Sequence, residues 1–291
     1  MRNFEIVAKF GGSSVAQPQH VKRHESFDDP DVVVVSAPGV DIERGYYIKA
    51  TDILLTIKDG SDRFKDLRQR FEYLAEDMEL PNEAIERRGI KFFEQDIREW
   101  QDKNWPIEAL GEYWTARMYA AYLGRRFVDA AEIIRFDLNG QLDLEQSSLL
   151  IKERLMPGDI VPGYYGADYD GNIRVFVRGG SDITPAIICR AKDAKEYHNW
   201  SDVDGFMTTD PAKNPNALMF NALEYPDVID MANNGCQLLH PEVCKILGDS
   251  EVKTVMRNTF GELGNRGTEI VGSSTTMQEV AERLTLRTIL V

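Results

Sequence analysis

Four consecutive valines, Val32 to Val35, limit what this chain can fold into more than any other feature. Side chains alternate between the two faces of a strand, so an unbroken apolar run is buried on both. Such a strand belongs inside a mostly parallel sheet with helices packed over each face. The remaining pattern agrees, because short β-branched runs alternate with longer helical stretches. Residues 6–10 read as a first strand that stops at Gly11-Gly12, with Ser13 and Ser14 placed to cap a helix over 13–27. The valine strand, 31–35, stops at Ser36-Ala37-Pro38-Gly39, a loop by its turn residues.

Residues 61–103 are charged and helical, divided at Pro81-Asn82, and read as solvent-facing helices. A helix over 107–123 carries Glu112. Strands are expected at 132–136, 159–162 and 173–177, the last leading into Arg178-Gly179-Gly180-Ser181-Asp182. A helix then starts at Thr184, with Pro185 in its first turn. Beyond it come a strand at 196–200, a loop over 201–215, helices at 221–233 and 240–247, and strands at 252–257 and 268–271.

Three segments have chemistry written into them. Lys9-Phe10-Gly11-Gly12-Ser13-Ser14 puts a cation at a strand end beside glycines that bare the backbone, a geometry suited to an anion. It is not the Walker pattern, since the lysine precedes the glycines, and it also fits a plain strand–helix turn. Arg178-Gly179-Gly180-Ser181-Asp182-Ile183-Thr184 offers a planar fork to a carboxylate and an acceptor to an ammonium, while Ser181, Asp182 and Thr184 also suit helix capping. The stretch 201–211 holds carboxylates and hydroxyls that suit a ribose, a phosphate-bound metal or only solvent, with Asp204 open between these, as is Asp52. His240 reads as a structural histidine. Two glycine-rich turns, one with a lysine and one with an arginine, suit two anions held side by side, as a kinase acting on a carboxylate requires.

Net charge is −14 over 291 residues, which argues against nucleic-acid and anionic-membrane partners, as both need clustered cations. Cys189, Cys236 and Cys244 are too few and too scattered for a zinc site or disulfide framework, and read as buried thiols. With no signal-like start and no apolar run of about 20 residues, a cytoplasmic location is expected.

Taken together, the motifs resemble the aspartokinases, within the amino acid kinase family. The resemblance covers about residues 4–272 and rests on Lys9 to Val15, Val35 to Gly39, Lys49 to Asp52, Gly111-Glu112, Pro162 to Gly166, Arg178 to Thr184, Trp200 to Gly205, Thr209 to Pro211, Leu239 to Pro241 and Gly267-Thr268, in family order. It implies a three-layer α/β/α sandwich, with an amino-acid lobe over 1–178 and a nucleotide lobe over 179–291. It also implies ATP-dependent phosphorylation of the L-aspartate β-carboxylate with Mg²⁺, in a homodimer.

Position by position, the resemblance makes Lys9 and Asp182 catalytic. Arg178 clamps the α-carboxylate, Asp182 and Glu112 hold or orient the substrate, and Ser36, Thr51, Tyr164 and Ser181 line its pocket. Gly11, Gly12, Ser13, Ser201, Asp202, Met207, Asp210 and Lys213, with Lys9, fall on the nucleotide side, and no residue is assigned as a metal ligand. The chain departs from the family where Met207 replaces a common tyrosine, Ala212 a common arginine and Gln237 a common lysine, leaving Lys213 or Lys245 to compensate. Twenty residues follow Val271, too few for a regulatory ACT domain, so no intrinsic feedback inhibition is expected. An acid kinase for an aspartate analogue and a non-catalytic amino-acid-binding subunit are the alternatives.

Overall fold

The computed structural model describes residues 3–42, 44–80, 93–177, 179–209, 213–214, 216–236 and 238–272. Its centre is an eight-stranded sheet in the order β3-β4-β2-β1-β7-β9-β10-β8, with helices on both sides. The strands are β1 (Ile6–Phe10), β2 (Val32–Val35), β3 (Arg126–Phe127), β4 (Asp159–Pro162), β7 (Glu196–Ser201), β8 (Ala222–Glu224), β9 (Lys253–Asn258) and β10 (Glu269–Val271). All neighbours run parallel except the pair β9 and β10. β5 (Tyr165–Ala167) and β6 (Ile173–Val175) form a separate antiparallel hairpin. The valine run is completely buried, as its pattern requires, and pairs with β1 on one side and β4 on the other.

The chain leaves β1 for β2 on one flank and later returns to β7 on the other, so the winding direction reverses at β1. In open α/β sheets that reversal opens a crevice beyond the carboxyl ends of the strands. Here those ends are Gly11, Ser36 and Ser201.

The expected helix over 13–27 is two helices, α1 (Gly12–Val15) and α2 (Pro18–Asp28). Pro18 has no amide proton and forces Gln17 out of the helical region, to φ −128° and ψ 82°. Gly11, not a serine, is the N-cap of α1. The Ser14 hydroxyl instead lies 2.6 Å from that of Thr259.

α3 (Ala50–Lys58), α4 (Phe64–Asp77), α5 (Phe93–Asp102) and α6 (Leu110–Tyr122) follow. α4 and α5 are amphipathic rather than simply solvent-facing, burying Leu67, Phe71 and Leu74 from one and Phe93, Ile97 and Trp100 from the other. Pro81-Asn82 lies outside the described residues.

The strand expected at 132–136 is replaced by a helical turn, α7 (Ala130–Ile133), because the Asp129 side chain accepts from the Ala131 amide and caps it. Only isolated bridges at Arg135 and Phe136 keep strand character. α8 (Leu144–Arg154) and α9 (Ile183–Lys192) flank the middle of the chain, α9 entered through a 3₁₀ turn at Gly180–Asp182. The helix expected at 221–233 begins as β8 and becomes α10 (Tyr225–Asn233), where Glu224 and Asp227 form a capping box. α11 (Pro241–Leu247) is capped by the His240 ring, which accepts from the Glu242 amide and confirms that histidine as structural.

Cys189 and Cys244 are buried, as expected, and burial holds both thiols above their ordinary range; Cys236 is half-buried instead. No helix among the described residues is long and apolar enough to cross a membrane.

The loops after β1 and β2 meet backbone to backbone. Gly39 donates its amide to the Gly12 carbonyl at 2.7 Å, and a Cβ at Gly39 would lie 2.5 Å from Gly12 C and 2.6 Å from Ser13 N. Neither atom can move without moving the strand ends. Gly39→Ala is therefore expected to lower the unfolding free energy by about 1–3 kcal/mol. Gly261→Ala, whose Cβ meets its neighbours at an ordinary 3.4 Å, should change it by less than about 0.5 kcal/mol. Urea unfolding of both variants checks this; equal losses would show that the contact is not limiting.

Candidate active site

A cleft of about 710 Å³ opens at the reversal point. Lys9 and Asn199 are register partners on β1 and β7, so their side chains leave the sheet on the same face. Lys9 is buried, and its ammonium lies 2.7 Å from Asp182 Oδ1, with Nζ donating to Asn199 Oδ1 at 3.4 Å. Asn199 Nδ2 in turn donates to Asp182 Oδ1 at 3.2 Å. The turn before α9 delivers Asp182: Gly179 adopts φ +87°, and a Cβ on Gly180 would lie 2.3 Å from Phe176 Cβ. Asp182 makes no capping bond to α9, so its carboxylate serves Lys9 and Asn199 rather than the helix end.

Glu112 rises from the first turn of α6, brought to the cleft by the close approach of Gly111 to Ala37. Its Oε1 accepts from the Ser181 hydroxyl at 3.3 Å, while Oε2 is buried without a partner among the described residues. Burial pushes the Glu112 carboxyl up to about 8, partly offset by bonds from the Ala37 amide and Ser181. An acid in this state takes up an ammonium donor readily, because pairing repays the desolvation that keeps it protonated.

Ser36, Thr51, Tyr164 and Ser181 line the same cleft, as do Gly12, Ser13 and Asp202. Tyr164 holds φ +79°, a strained conformation for a non-glycine residue, next to the Gly163 amide bonded to Val35 O at 2.9 Å. Gln17, Asp41, Lys49, Asp52 and Phe260 also face the cleft, and the residue reading had not placed them there, apart from leaving Asp52 open.

Other expected members are not at the cleft. The Gly11 amide donates to Trp200 O at 2.9 Å, continuing the ladder between β1 and β7, and is committed to the sheet. Ser201 ends β7, Met207 bridges to Met219, and Lys213 is exposed; none of the three lines the cleft. Lys245 pairs with Glu242 at 2.9 Å on the surface of α11. Asp204 accepts from Asn258 at 2.9 Å, a loop-fixing contact. Arg178, Asp210, Ala212 and Gln237 lie outside the described residues.

Asn199, buried beneath the cleft and bonded to Lys9 and Asp182, is a further residue that no motif points to. The signal for it was the register of two adjacent strands, which places residue 199 beside residue 9.

A doubly wound sheet with a lysine–carboxylate pair at its reversal point defines the class as an α/β protein with a ligand crevice built for charged groups. The sequence profile described as "Amino acid kinase family" matches residues 5–258, and the chain belongs to that family. It is 29% identical over 260 residues to aspartokinase 3 of Bacillus subtilis, a match covering 81% of this chain and 57% of that protein. The structure of Clostridium acetobutylicum aspartate kinase is similar at TM-score 0.80 and 29% identity, over 93% of this chain and 64% of that one. Escherichia coli aspartokinase III, solved with aspartate and ADP, shares the fold at TM-score 0.76 and 21% identity, over 94% of this chain and 65% of that one. The chain thus spans between half and two thirds of the length of these relatives.

The raised Glu112 carboxyl has a consequence for stability. The folded protein keeps a proton that the unfolded chain releases near the ordinary value of 4.5, so the contribution is complete below that value and lost as pH climbs toward about 8. In thermal unfolding of ligand-free protein between pH 5.5 and 8.5, Glu112→Gln, neutral throughout, should gain on wild type with rising pH by a few kcal/mol in all. Parallel stability curves would mean that Glu112 is ionised across the range.

Proposed function

We propose that this chain is an aspartate kinase domain, transferring the γ-phosphoryl group of ATP to the β-carboxylate of L-aspartate to give 4-phospho-L-aspartate and ADP. The observation that carries the reading is the convergence on one cleft of the Lys9–Asp182 pair and a buried Glu112 oxygen with no partner among the described residues. A cation for an anion and a buried acceptor for an ammonium suit an amino acid with an acidic side chain. The relatives named aspartokinase and aspartate kinase support the same substrate.

In this reading Glu112 receives the substrate ammonium, Arg178 forks onto the α-carboxylate, and Ser36, Thr51, Tyr164 and Ser181 bound the pocket. The β-carboxylate, with a reference pKa of about 3.9, is already ionised at neutral pH and needs no general base. One of its oxygens bonds to the γ-phosphorus as the bridge to the β-phosphate breaks, and that electron pair leaves with ADP. The work of the protein is alignment of two anions and stabilisation of spreading charge, which falls to Lys9 and the amides of Gly12 and Ser13.

The nucleotide falls to Asp202 at the cleft, and the family resemblance adds Ser201, Met207, Asp210 and Lys213 to its side. The exposed carboxylate of Asp202 suits Mg²⁺, which needs only one or two carboxylates besides phosphates and water. Bound there, it neutralises phosphate charge. Residues 1–178 serve the amino acid and 179–291 the nucleotide, and a homodimer is the assembly favoured by general symmetry statistics.

ADP release with L-aspartate, ATP and Mg²⁺, with hydroxylamine trapping the acyl phosphate, tests the reading. Aspartyl hydroxamate is expected. Lys9→Ala should cut kcat on the order of 100-fold while moving the KM for aspartate little. ADP release with another acid but not aspartate would point to an analogue as substrate. Aspartate binding without nucleotide binding, by calorimetry, would make this a binding subunit.

A further inference from the structure

Asn199 is an amide in the middle of a buried strand, 1% exposed, with Tyr197 and Trp200 near it on β7 and Met256 opposite on β9. Burying a primary amide is costly unless both its ends are bonded. Both are, and each to a charged group: Nδ2 donates to Asp182 Oδ1, and Oδ1 accepts from Lys9 Nζ. The charges dictate its orientation, because a flipped amide would put NH₂ against the ammonium and C=O against the carboxylate.

We propose that Asn199 is a positioning residue for phosphoryl transfer, holding Asp182 and Lys9 so that Lys9 can turn toward the transferring group. The inference rests on the kinase reading above. The Lys9 ammonium lies against Asp182 at 2.7 Å. For Lys9 to stabilise charge on phosphorus it must loosen that contact, leaving a carboxylate short of a donor and an ammonium short of an acceptor. Asn199 supplies both without adding charge. Its donor stays on Asp182 as Lys9 moves, and its carbonyl steadies the ammonium from below. A leucine of similar volume would preserve the packing and remove this exchange. An aspartate of the same shape would repel Asp182 and compete for Lys9. Since the exchange matters most as charge develops, the effect belongs in kcat rather than in substrate affinity.

The test uses Asn199→Leu and the isosteric Asn199→Asp beside wild type, with melting temperatures measured to establish folding. In the hydroxamate assay, each variant should lose about 10- to 100-fold in kcat at pH 8, with KM for aspartate and ATP within about threefold of wild type. Asn199→Asp has a further signature. Protonated, its carboxyl presents the same donor and acceptor as the amide, so its kcat relative to wild type should rise as pH falls from 8 to 6. The ionisable groups facing the position are Lys9 from β1 and Asp182 from the turn before α9, with Tyr197 on its own strand, whose phenol burial holds well above its ordinary range.

A folded Asn199→Leu protein with kcat within twofold of wild type would overturn the inference, as would a rise in KM with kcat unchanged. A flat Asn199→Asp ratio across pH would also count against it. One readout needs no substrate: the ¹³C chemical shift of the Asp182 carboxyl at a fixed pH, which should change in Asn199→Leu relative to wild type because its amide donor is lost. If wild type produces no aspartyl hydroxamate, the kinase reading fails, and this NMR comparison alone decides whether Asn199 holds the pair; an unmoved resonance would then refute it.

Discussion

A lysine ammonium on the central strand of a buried sheet needs an opposite charge within reach, and the 2.7 Å contact from Lys9 to Asp182 meets that need. The two residues are 173 positions apart in the chain. Meeting requires that β1 and β7 lie side by side and that the 180–182 turn sit above their carboxyl ends. The glycine at 180 has no room for a side chain against Phe176, and Gly163 packs on Ser181, so the hairpin of β5 and β6 presses the turn into place. The pair therefore ties the first strand of the chain to the start of α9. Breaking it by removing one partner would strand the other charge in a low-dielectric setting.

The opposite face of the same strands carries a second polar system with a different character. His198, one residue before Asn199, points the other way and lies between Asp28 at 3.2 Å and Glu196 at 2.7 Å. Asp28 also takes two bonds from Arg257, which stacks over Trp200, and Glu196 takes two from Arg266. Here carboxylates and cations are matched, and Glu196 is held far below the usual carboxylate range: burial opposes ionisation, and bonds from His198 and Arg266 overcome it. The cleft face instead leaves a carboxyl oxygen of Glu112 unmatched. The two faces differ in kind: on one, each carboxylate is paired with cations although Arg257 Nε finds no partner among the described residues, and on the other a carboxyl oxygen stays open beside the cleft.

How far these features are legible in the sequence depends on the range of the interaction that sets them. The valine strand, Lys9 and the Arg-Gly-Gly-Ser-Asp turn are local patterns, and the described residues Lys9, Gly179, Ser181 and Asp182 among them do line one cleft. Local pattern offers Ser14 a capping role, while its hydroxyl goes to Thr259, a partner that no local pattern reveals. The 132–136 segment went wrong for the converse reason: apolar Ile133 and Ile134 suit a strand, but the Asp129 cap just before them starts a helical turn. Gly11 had the right composition for an anion loop, yet its amide belongs to the sheet. Asn199 sits in a run of strand residues with no motif of its own, and only strand register reveals its role.

The charge of the cleft bears directly on the proposal that it takes anionic ligands. Among its described lining residues, Asp41, Asp52, Glu112, Asp182 and Asp202 face Lys9 and Lys49. Lys9 is already paired, so this wall would repel a polyphosphate or a dicarboxylate if every carboxyl were ionised. Burial removes one of those charges by keeping Glu112 protonated near neutrality. An incoming ammonium would let it ionise while adding a positive charge of its own, so that exchange is neutral overall. A divalent cation arriving with a nucleotide would do the same for the exposed Asp202. A cleft of this composition favours ligands that carry their compensating charge with them, and an amino acid paired with a metal-bound nucleotide meets that condition where a simple dianion does not.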